Sequence, residues 1–238
     1  METPIKIYYH VYAVNHYLDI IREQLECIKE SGLYEECEEI NIGFLGTKEA
    51  LEKARDVFIF YPKIKYIIHD EDPNKYEFHT LRMLKGACDT AKEKFYGIYI
   101  HTKGVSYIKP EDVQAGKVWR DYLMKWVVSD WRINYKALNM KFAGYDICSV
   151  KIIPARVSPS NRTHASGNMW MFNSEYIKSL IKIESIENAN RFEAEMWAFS
   201  GQPIIFMPCN LFIDYLNRQK SYRDFADNYS ELNQFCLL

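Results

Sequence analysis

The sequence lacks any apolar run near the ~20 residues that a membrane-spanning helix requires. Residues 1–12 also lack the basic flank, long apolar stretch and cleavage site of a secretory signal peptide. The six cysteines include no CxxC pair and no short Cys/His spacing, so they indicate neither a zinc site nor a disulfide framework. We therefore expect a soluble, cytoplasmic protein whose cysteines are buried free thiols in a reducing compartment.

A basic block is also missing. The chain carries 30 Lys and Arg against 32 Asp and Glu, which gives a net charge of -2, and this balance argues against a nucleic-acid partner. No Gly-x-Gly-x-x-Gly motif follows the first predicted strand, which disfavours a Rossmann-type oxidoreductase. Hydrophobic residues are plentiful at 48% and aromatic residues at 15%. Such a chain can bury a sizeable core and is neither disordered nor fibrous.

The first half of the chain alternates strand-like and helix-like patterns with short breaks, which is typical of βα units in a parallel sheet. The pattern predicts strands at residues 5–14, 40–45, 64–68 and 97–100. Helices are predicted between them, and the third opens at Pro73 with an apolar face made of Tyr76, Thr80, Met83, Leu84, Ala87 and Ala91. The expected fold class is α/β, with a mostly parallel, twisted sheet flanked by helices and a Rossmann-like N-terminal half.

The pattern changes in the second half, where a tryptophan-rich helix is predicted from Trp119 onward. A strand is predicted at residues 146–153, followed by a loop that contains Pro159 and by strands at residues 168–172 and 203–206. No linker, internal repeat or low-complexity segment divides the chain. The sequence therefore predicts one domain.

Polar and ionisable residues cluster at the ends of three predicted strands. His10 and Tyr12 end the first strand, residues 69–72 follow the third, and residues 101–104 follow the fourth. Ligands of open α/β sheets bind at the carboxyl ends of strands, because loops and helix N-termini converge there. These residues are therefore the first candidates for a binding site.

Three ordered blocks carry a resemblance to a known family. They are Tyr99-Ile100-His101-Thr102-Lys103-Gly104-Val105-Ser106, Trp119-Arg120-Asp121-Tyr122 and His164-Ala165-Ser166-Gly167-Asn168-Met169-Trp170. Together they resemble glycosyltransferase-like domains of bacteria and large viruses, from Ile5 to Met207, and are loosely similar to rhamnan-synthesis enzymes. The resemblance implies a GT-A-like fold and a UDP- or GDP-linked sugar as donor. It also implies transfer of a hexosyl or deoxyhexosyl group to a hydroxyl acceptor in glycan or polysaccharide synthesis.

The fourth strand end departs from the pattern of that family. In the GT-A pattern the first strand end meets the nucleotide, which here points to His10 or Tyr12, and the fourth usually carries an Asp-x-Asp motif that binds a metal. This chain instead has His101-Thr102-Lys103-Gly104, which leaves a manganese or magnesium requirement open. Lys103 offers a charge for the leaving diphosphate, and Gly104 allows close backbone approach. Alternatively, His101 and Thr102 simply end the strand with satisfied hydrogen bonds.

An Asp-x-Asp sequence does occur after the third strand, at Asp70 and Asp72. Hard divalent ions prefer carboxylate oxygens, so these two residues are an alternative metal site. Because Pro73 follows at once, Asp72 is better explained as a helix N-cap and Asp70 as a charge that is favourable near a helix N-terminus.

The resemblance implies that the reaction is inverting and assigns the catalytic base to Glu195. In such enzymes a small-residue turn, here residues 166–168, is followed about one helix later by an acid that deprotonates the acceptor hydroxyl. Glu193 would face another way on a helix. The competing interpretation pairs Glu195 with Arg191 at i,i+4 spacing.

The remaining candidates lie in the second and third blocks. Arg120 is a candidate for binding the donor phosphates, although an ordinary ion pair explains it equally well. Acceptor or sugar contacts are predicted for His164, Ser166, Gly167, Asn168 and Trp170, with backbone hydrogen bonding or core packing as the alternative roles of His164 and Trp170.

Two functions therefore follow from the sequence. The first is a nucleotide-sugar-dependent glycosyltransferase whose partners are the nucleotide sugar and a glycan acceptor. It would have a nucleotide-binding half (1–104), an acceptor or catalytic half (105–220) and a tail (221–238). The alternative is a GT-A-like domain that binds a nucleotide or glycan without turnover as part of a larger assembly.

Overall fold

The computed structural model of the chain describes residues 3–158, 160–186 and 190–208. Pro159, Cys209, Cys236 and the predicted tail therefore lie outside the described residues. The cysteines within them, Cys27, Cys37, Cys88 and Cys148, are free thiols. None of the helices in these residues is long and apolar enough to cross a membrane.

Within the described residues, the strands form a seven-stranded sheet and a separate two-stranded ribbon. In chain order they are β1 (Ile5–Tyr12), β2 (Cys37–Leu45), β3 (Ile64–Asp70), β4 (Tyr96–His101), β5 (Ile147–Ser149), β6 (Ile152–Ile153), β7 (His164–Ala165), β8 (Trp170–Asn173) and β9 (Ile205–Phe206). The order in the large sheet is β3-β2-β1-β4-β8-β5-β9, and β6 pairs with β7. Only β8 runs antiparallel to its neighbours in the large sheet, so the predicted mostly parallel α/β fold is confirmed.

Helices cover both faces of this sheet. They are α1 (Tyr17–Glu30), α2 (Leu33–Glu36), α3 (Lys48–Phe58), α4 (Phe78–Thr90), α5 (Pro110–Met124), α6 (Trp131–Leu138), α7 (Ser174–Ser179) and α8 (Phe192–Trp197), together with 3-10 turns at Pro73–Lys75, Ala155–Val157 and Ile183–Ser185 and a π-helical segment at Lys125–Ser129. The side chain of Thr47 caps α3 by accepting a hydrogen bond from the Ala50 amide, as expected for a threonine N-cap.

Two hydrophobic clusters hold the helices to the sheet, one on each face. Ile7 and Tyr9 of β1 point into the cluster formed with α1, α3, α5 and α6, whereas Tyr8 points into the cluster formed with α4, α7 and α8. Alternate residues of a strand point to opposite faces, so a strand buried on both sides must be apolar throughout. This explains why β1 reads as a nearly continuous hydrophobic run.

Three of the larger errors in the predicted boundaries have a clear physical cause. Pro73 opens a 3-10 turn, and α4 begins only at Phe78, because Tyr76 takes a positive φ of 44° that no helix tolerates. The tryptophan-rich helix begins at Pro110, before Trp119, since a proline is favoured at the first helical position. The strand predicted at residues 146–153 is divided by Lys151, with a φ of 52°, into strands of two different sheets.

Candidate functional site

A cavity of about 530 Å³ opens at the carboxyl ends of β1 and β4. The two strands are adjacent and parallel, with His10 opposite His101 in the register. In the sheet, β2 and β3 lie on one side of β1 and β4 lies on the other. The strand order therefore reverses between β1 and β4. Open α/β sheets bind their ligands at such a switch point, because the loops diverge there and leave a crevice. Its lining residues are His10, Tyr12, Leu45, Pro73, Asn74, Tyr76, Glu77, His101, Thr102, Lys103, Gly104, Val105, Ser106, Tyr107, Arg191 and Glu195.

Many of the residues singled out in the sequence meet in this cavity. Those that line it are His10, Tyr12, His101, Thr102, Lys103, Gly104 and Glu195. They come from positions far apart in the chain, and the fold brings them together because β1 and β4 end side by side and α8 closes the opposite wall. Their individual roles remain predictions.

The turn after β4 is fastened to the end of β1 through Thr102. The Thr102 amide donates to the His10 carbonyl at 3.1 Å, and the Tyr12 amide donates to the buried Thr102 hydroxyl at 3.0 Å. Gly104 follows with a φ of 81°, a conformation that favours glycine. The backbone beneath Lys103 is therefore fixed, while the Lys103 side chain lines the cavity.

The histidines of the cavity are neutral at physiological pH. Burial, followed by the neighbouring His79 and His101, lowers the pKa of His10 well below its usual value. Burial, with a contribution from Lys103, lowers the pKa of His101 to about 4. The Nε2 atom of His101 lies 2.7 Å from the Gly167 carbonyl oxygen, which can only accept, so Nε2 carries the proton. Positive charge in the cavity therefore comes from Lys103 and Arg191.

The two carboxylates of α8 have different surroundings. Glu193 forms an ion pair with Arg162, with an N–O distance of 2.6 Å, whereas Glu195 lines the cavity. The ion pairs of the described residues do not include one between Arg191 and Glu195. Instead, Arg191 also lines the cavity, and its guanidinium carbon lies 4.8 Å from the centroid of the Phe192 ring.

Glu77 is a cavity residue that the sequence interpretation missed. Its side chain is largely buried, with 16% of its surface exposed. Burial raises the pKa of Glu77, although hydrogen bonds from Tyr99 and Asn168 and the charge of Lys103 oppose that effect. The helix was predicted to begin at Pro73, which would place Glu77 inside it. Because α4 begins at Phe78, Glu77 lies at the helix start, where it lines the cavity.

Arg120 lies outside the set of lining residues. It is buried and forms a bidentate ion pair with Glu23, at 2.8 and 3.0 Å, while its Nη1 donates to the Lys103 carbonyl at 2.8 Å. The same ion pair contributes to a lowered pKa of Glu23, despite the opposing and larger effect of its burial. The Arg120 guanidinium, which was a candidate for binding the donor phosphates, is therefore paired with Glu23. Arg120 also supports the turn that carries Lys103.

The predicted acceptor segment also lies behind the cavity wall. His164 belongs to the small ribbon, with Nδ1 3.1 Å from the Arg162 carbonyl oxygen, and the Ser166 amide donates to the Lys151 carbonyl at 3.0 Å. Trp170 is fully buried and stacks on Tyr99, with the ring centroids 5.0 Å apart. His164, Ser166, Gly167, Asn168 and Trp170 are all outside the set of residues that line the cavity.

The acidic turn after β3, which contains Asp70 and Asp72, forms hydrogen bonds within itself. Asp72 accepts hydrogen bonds from both the backbone amide and the side-chain amide of Asn74 at 3.0 Å, and Asp70 accepts one from the Asp72 amide at 2.9 Å. Among the described residues, no group of three or more His, Cys, Asp or Glu side chains is arranged to hold a metal ion. Neither Asp70 nor Asp72 is among the residues that line the cavity.

Comparison with solved structures gives distant similarities. One is 4-diphosphocytidyl-2C-methyl-D-erythritol synthase from Anaerococcus prevotii, at 12% identity and a TM-score of 0.46, covering 96% of this chain and 99% of that one. Another is HddC from Yersinia pseudotuberculosis, at 10% identity and a TM-score of 0.43, covering 85% and 88% respectively. Comparison with curated proteins finds no match. Residues 8–206 match the family described as a domain of unknown function (DUF8361), and the chain belongs to this family.

Proposed function

We propose that this DUF8361 domain is a nucleotide-sugar-dependent glycosyltransferase. It would transfer a sugar from a UDP- or GDP-linked donor to a hydroxyl acceptor in glycan or polysaccharide synthesis, with inversion at the anomeric carbon. The observation that carries the proposal is the convergence of Lys103, Arg191 and Glu195 on one cavity at the switch point of the sheet. Two cations and a carboxylate in one crevice are the groups that sugar transfer from a diphosphate requires.

The diphosphate would lie against the turn that follows β4. A leaving diphosphate must have its charge neutralised, and preorganised cations and backbone amides achieve this without a cost of reorganisation during the reaction. Lys103 would supply one charge and Arg191 the second, and the backbone of the turn at residues 101–104 would lie against the phosphates. The nucleoside would extend toward His10 and Tyr12 at the end of β1.

Glu195 would act as the general base on the opposite wall. In the proposed step it takes the proton of the acceptor hydroxyl while that oxygen bonds to the anomeric carbon. The bond from the anomeric carbon to the diphosphate oxygen breaks at the same time, and its electron pair leaves with the diphosphate. The ion pair of Glu193 with Arg162 supports Glu195 rather than Glu193 as the base.

The proposed step uses no metal ion, because Asp70 and Asp72 form hydrogen bonds within their own turn and the end of β4 carries no carboxylate pair. The proposed division of the chain into a nucleotide-binding half (1–104) and an acceptor or catalytic half (105–220) is consistent with the residues that line the cavity. Lys103 comes from the first half, and Arg191 and Glu195 come from the second.

Calorimetric titration with UDP and GDP tests the proposal. We expect one of them to bind to the wild-type protein and Lys103→Ala to weaken that binding about tenfold or more, because a charged hydrogen bond contributes about 1.5–3 kcal/mol. Lys109→Ala is the matched control, since Lys109 is exposed in the same loop and does not line the cavity. Absence of binding with and without manganese would refute the proposal.

A second assay separates the enzyme from a binding domain. Hydrolysis or transfer of a UDP- or GDP-linked sugar should release the nucleoside diphosphate, and Glu195→Gln should suppress that release. Tight nucleotide binding without turnover of any tested UDP- or GDP-sugar would instead favour a domain that binds nucleotides without catalysis.

A further inference from the structure

The Glu77 carboxyl is held in one orientation by a closed network of side chains. The indole Nε1 of Trp170 can only donate, and it donates to the Asn168 Oδ1 at 2.9 Å. This fixes the amide of Asn168, so that its Nδ2 donates to the Glu77 Oε2 at 2.6 Å. The Tyr99 hydroxyl donates to the same Oε2, and the Tyr99 ring stacks on Trp170. The Gly-Asn-x-Trp segment of the sequence therefore orients Glu77.

The other oxygen of this carboxyl faces a second acceptor. Both hydrogen bonds that the described residues give to the Glu77 carboxylate end on Oε2, and Oε1 lies 3.9 Å from the Nδ1 of His101. Because the proton of His101 is on Nε2, Nδ1 of the neutral ring is also an acceptor. Two acceptors thus lie side by side on residues that line the cavity, too far apart for a direct hydrogen bond between them.

We propose that Glu77 Oε1 and His101 Nδ1 together bind two adjacent hydroxyl groups of a sugar ring. Neighbouring hydroxyls present two donors at a spacing of roughly 3 Å, which suits acceptors placed side by side. A phosphate or a carboxylate has no proton to donate and would be repelled by Glu77, so this part of the cavity selects a neutral diol. The low pKa of His101 keeps its Nδ1 unprotonated at neutral pH.

This inference rests on the proposed function, since the diol would belong to the ribose of the nucleotide or to the transferred sugar. The two sources are separated by changing the ligand. Wild-type protein is titrated with UDP, with 2′-deoxyuridine diphosphate and with UDP-glucose, or with GDP, 2′-deoxyguanosine diphosphate and GDP-mannose if guanosine diphosphate is the nucleotide that binds. The same titrations are repeated with Glu77→Gln and with the control Glu193→Gln, whose parent carboxylate is paired with Arg162.

Glu77→Gln is nearly isosteric, and its amide oxygen can still accept from Tyr99 and Asn168. Its amide nitrogen then replaces the acceptor Oε1 with a donor. If the ribose is bound here, wild-type affinity falls about tenfold when the 2′-hydroxyl is removed, and Glu77→Gln loses about the same factor for the nucleoside diphosphate but not for its 2′-deoxy form. If the transferred sugar is bound here, Glu77→Gln binds the nucleoside diphosphate normally and loses about tenfold for the nucleotide sugar.

Three results would overturn the inference. If Glu77→Gln and Glu193→Gln both match the wild-type protein for every ligand, the diol site is wrong and the proposed function stands. If wild-type protein binds the 2′-deoxy nucleotide as well as the ribonucleotide, and the nucleotide sugar no better than the free diphosphate, the diol site is overturned without reference to any variant. If no nucleotide or nucleotide sugar binds at all, the proposed function fails and the diol site fails with it.

Discussion

Lowering the pH from 7 to 5 should destabilise the protein by several kcal/mol, because buried histidines next to the cavity resist protonation. His79 on α4 is buried and His101 on β4 is largely buried, and burial is the first cause that lowers their pKa values to about 4. In the unfolded chain each histidine titrates near its usual pKa of about 6.5. The unfolded state therefore binds protons more tightly than the folded state over this range of pH.

The sign and size of the effect follow from this difference in proton binding. The contribution of each histidine to stability is fully present above a pH of about 6.5 and is lost as the pH falls toward the folded-state pKa of about 4. Between pH 7 and pH 5 each histidine costs about 2 kcal/mol of unfolding free energy, or about 4 kcal/mol for the two. His10, whose pKa burial also lowers well below its usual value, acts in the same direction as His79 and His101. The raised pKa of Glu77 acts in the opposite direction, because its protonation favours the folded state as the pH falls.

Urea denaturation of the wild-type protein and His79→Gln at pH 7 and pH 5 measures this effect. The difference in unfolding free energy between the two pH values should be smaller in His79→Gln by about 2 kcal/mol, whatever the substitution does to stability at pH 7. An unchanged difference would refute the assignment of His79 as a histidine that is buried neutral. Equal stability of the wild-type protein at the two pH values would refute the assignment for both histidines.

Three further predictions concern one residue that lines the cavity and two residues near it. Glu195→Gln should lower the turnover of a UDP- or GDP-linked donor about 10²–10⁴-fold and spare nucleotide affinity, whereas Glu193→Gln should leave turnover near normal. If kinetic assays give the reverse result, the base is Glu193 and its assignment to Glu195 is wrong. Asp72→Ala should cost about 1 kcal/mol in urea denaturation for the lost cap, and a loss of nucleotide affinity instead would make the acidic turn a ligand site. Arg120→Met should cost about 3 kcal/mol by removing the bidentate ion pair with Glu23 and the hydrogen bond to the Lys103 carbonyl, while Arg22→Ala, at an exposed ion pair with Asp19, should cost less than about 1 kcal/mol; equal costs would contradict the buried role of Arg120.

The positions of the first four strands could be predicted from the sequence because each contains an apolar run, which ends in polar residues in the first, third and fourth strands and at a glycine in the second. Parallel neighbouring strands end at the same edge of a sheet, so the residues after β1 and β4 were expected to meet, and His10 and His101 are opposite each other. The helix face that contains Glu195 could not be decided from spacing alone. The ion pair of Glu193 with Arg162, which joins residues 31 positions apart, distinguishes the two carboxylates.

Other parts of the site depend on contacts between distant residues and on single backbone angles. Glu77 lies beside the cavity because the positive φ of Tyr76 delays the start of α4, and the sequence around Pro73 instead predicts an earlier helix start. The Asn168 and Trp170 side chains turn inward to hold Glu77, although the same residues resemble a sugar-binding segment in sequence. Arg120 pairs with Glu23, which lies 97 positions away.

The most direct test of the account is the position of a bound nucleotide. Crystals of the protein soaked with UDP or GDP should show the diphosphate within hydrogen-bonding distance of Lys103 Nζ and the nucleoside near His10 and Tyr12 at the end of β1. A nucleotide ordered on another surface, or one whose diphosphate lies away from the turn at residues 101–104, would contradict the proposed donor site.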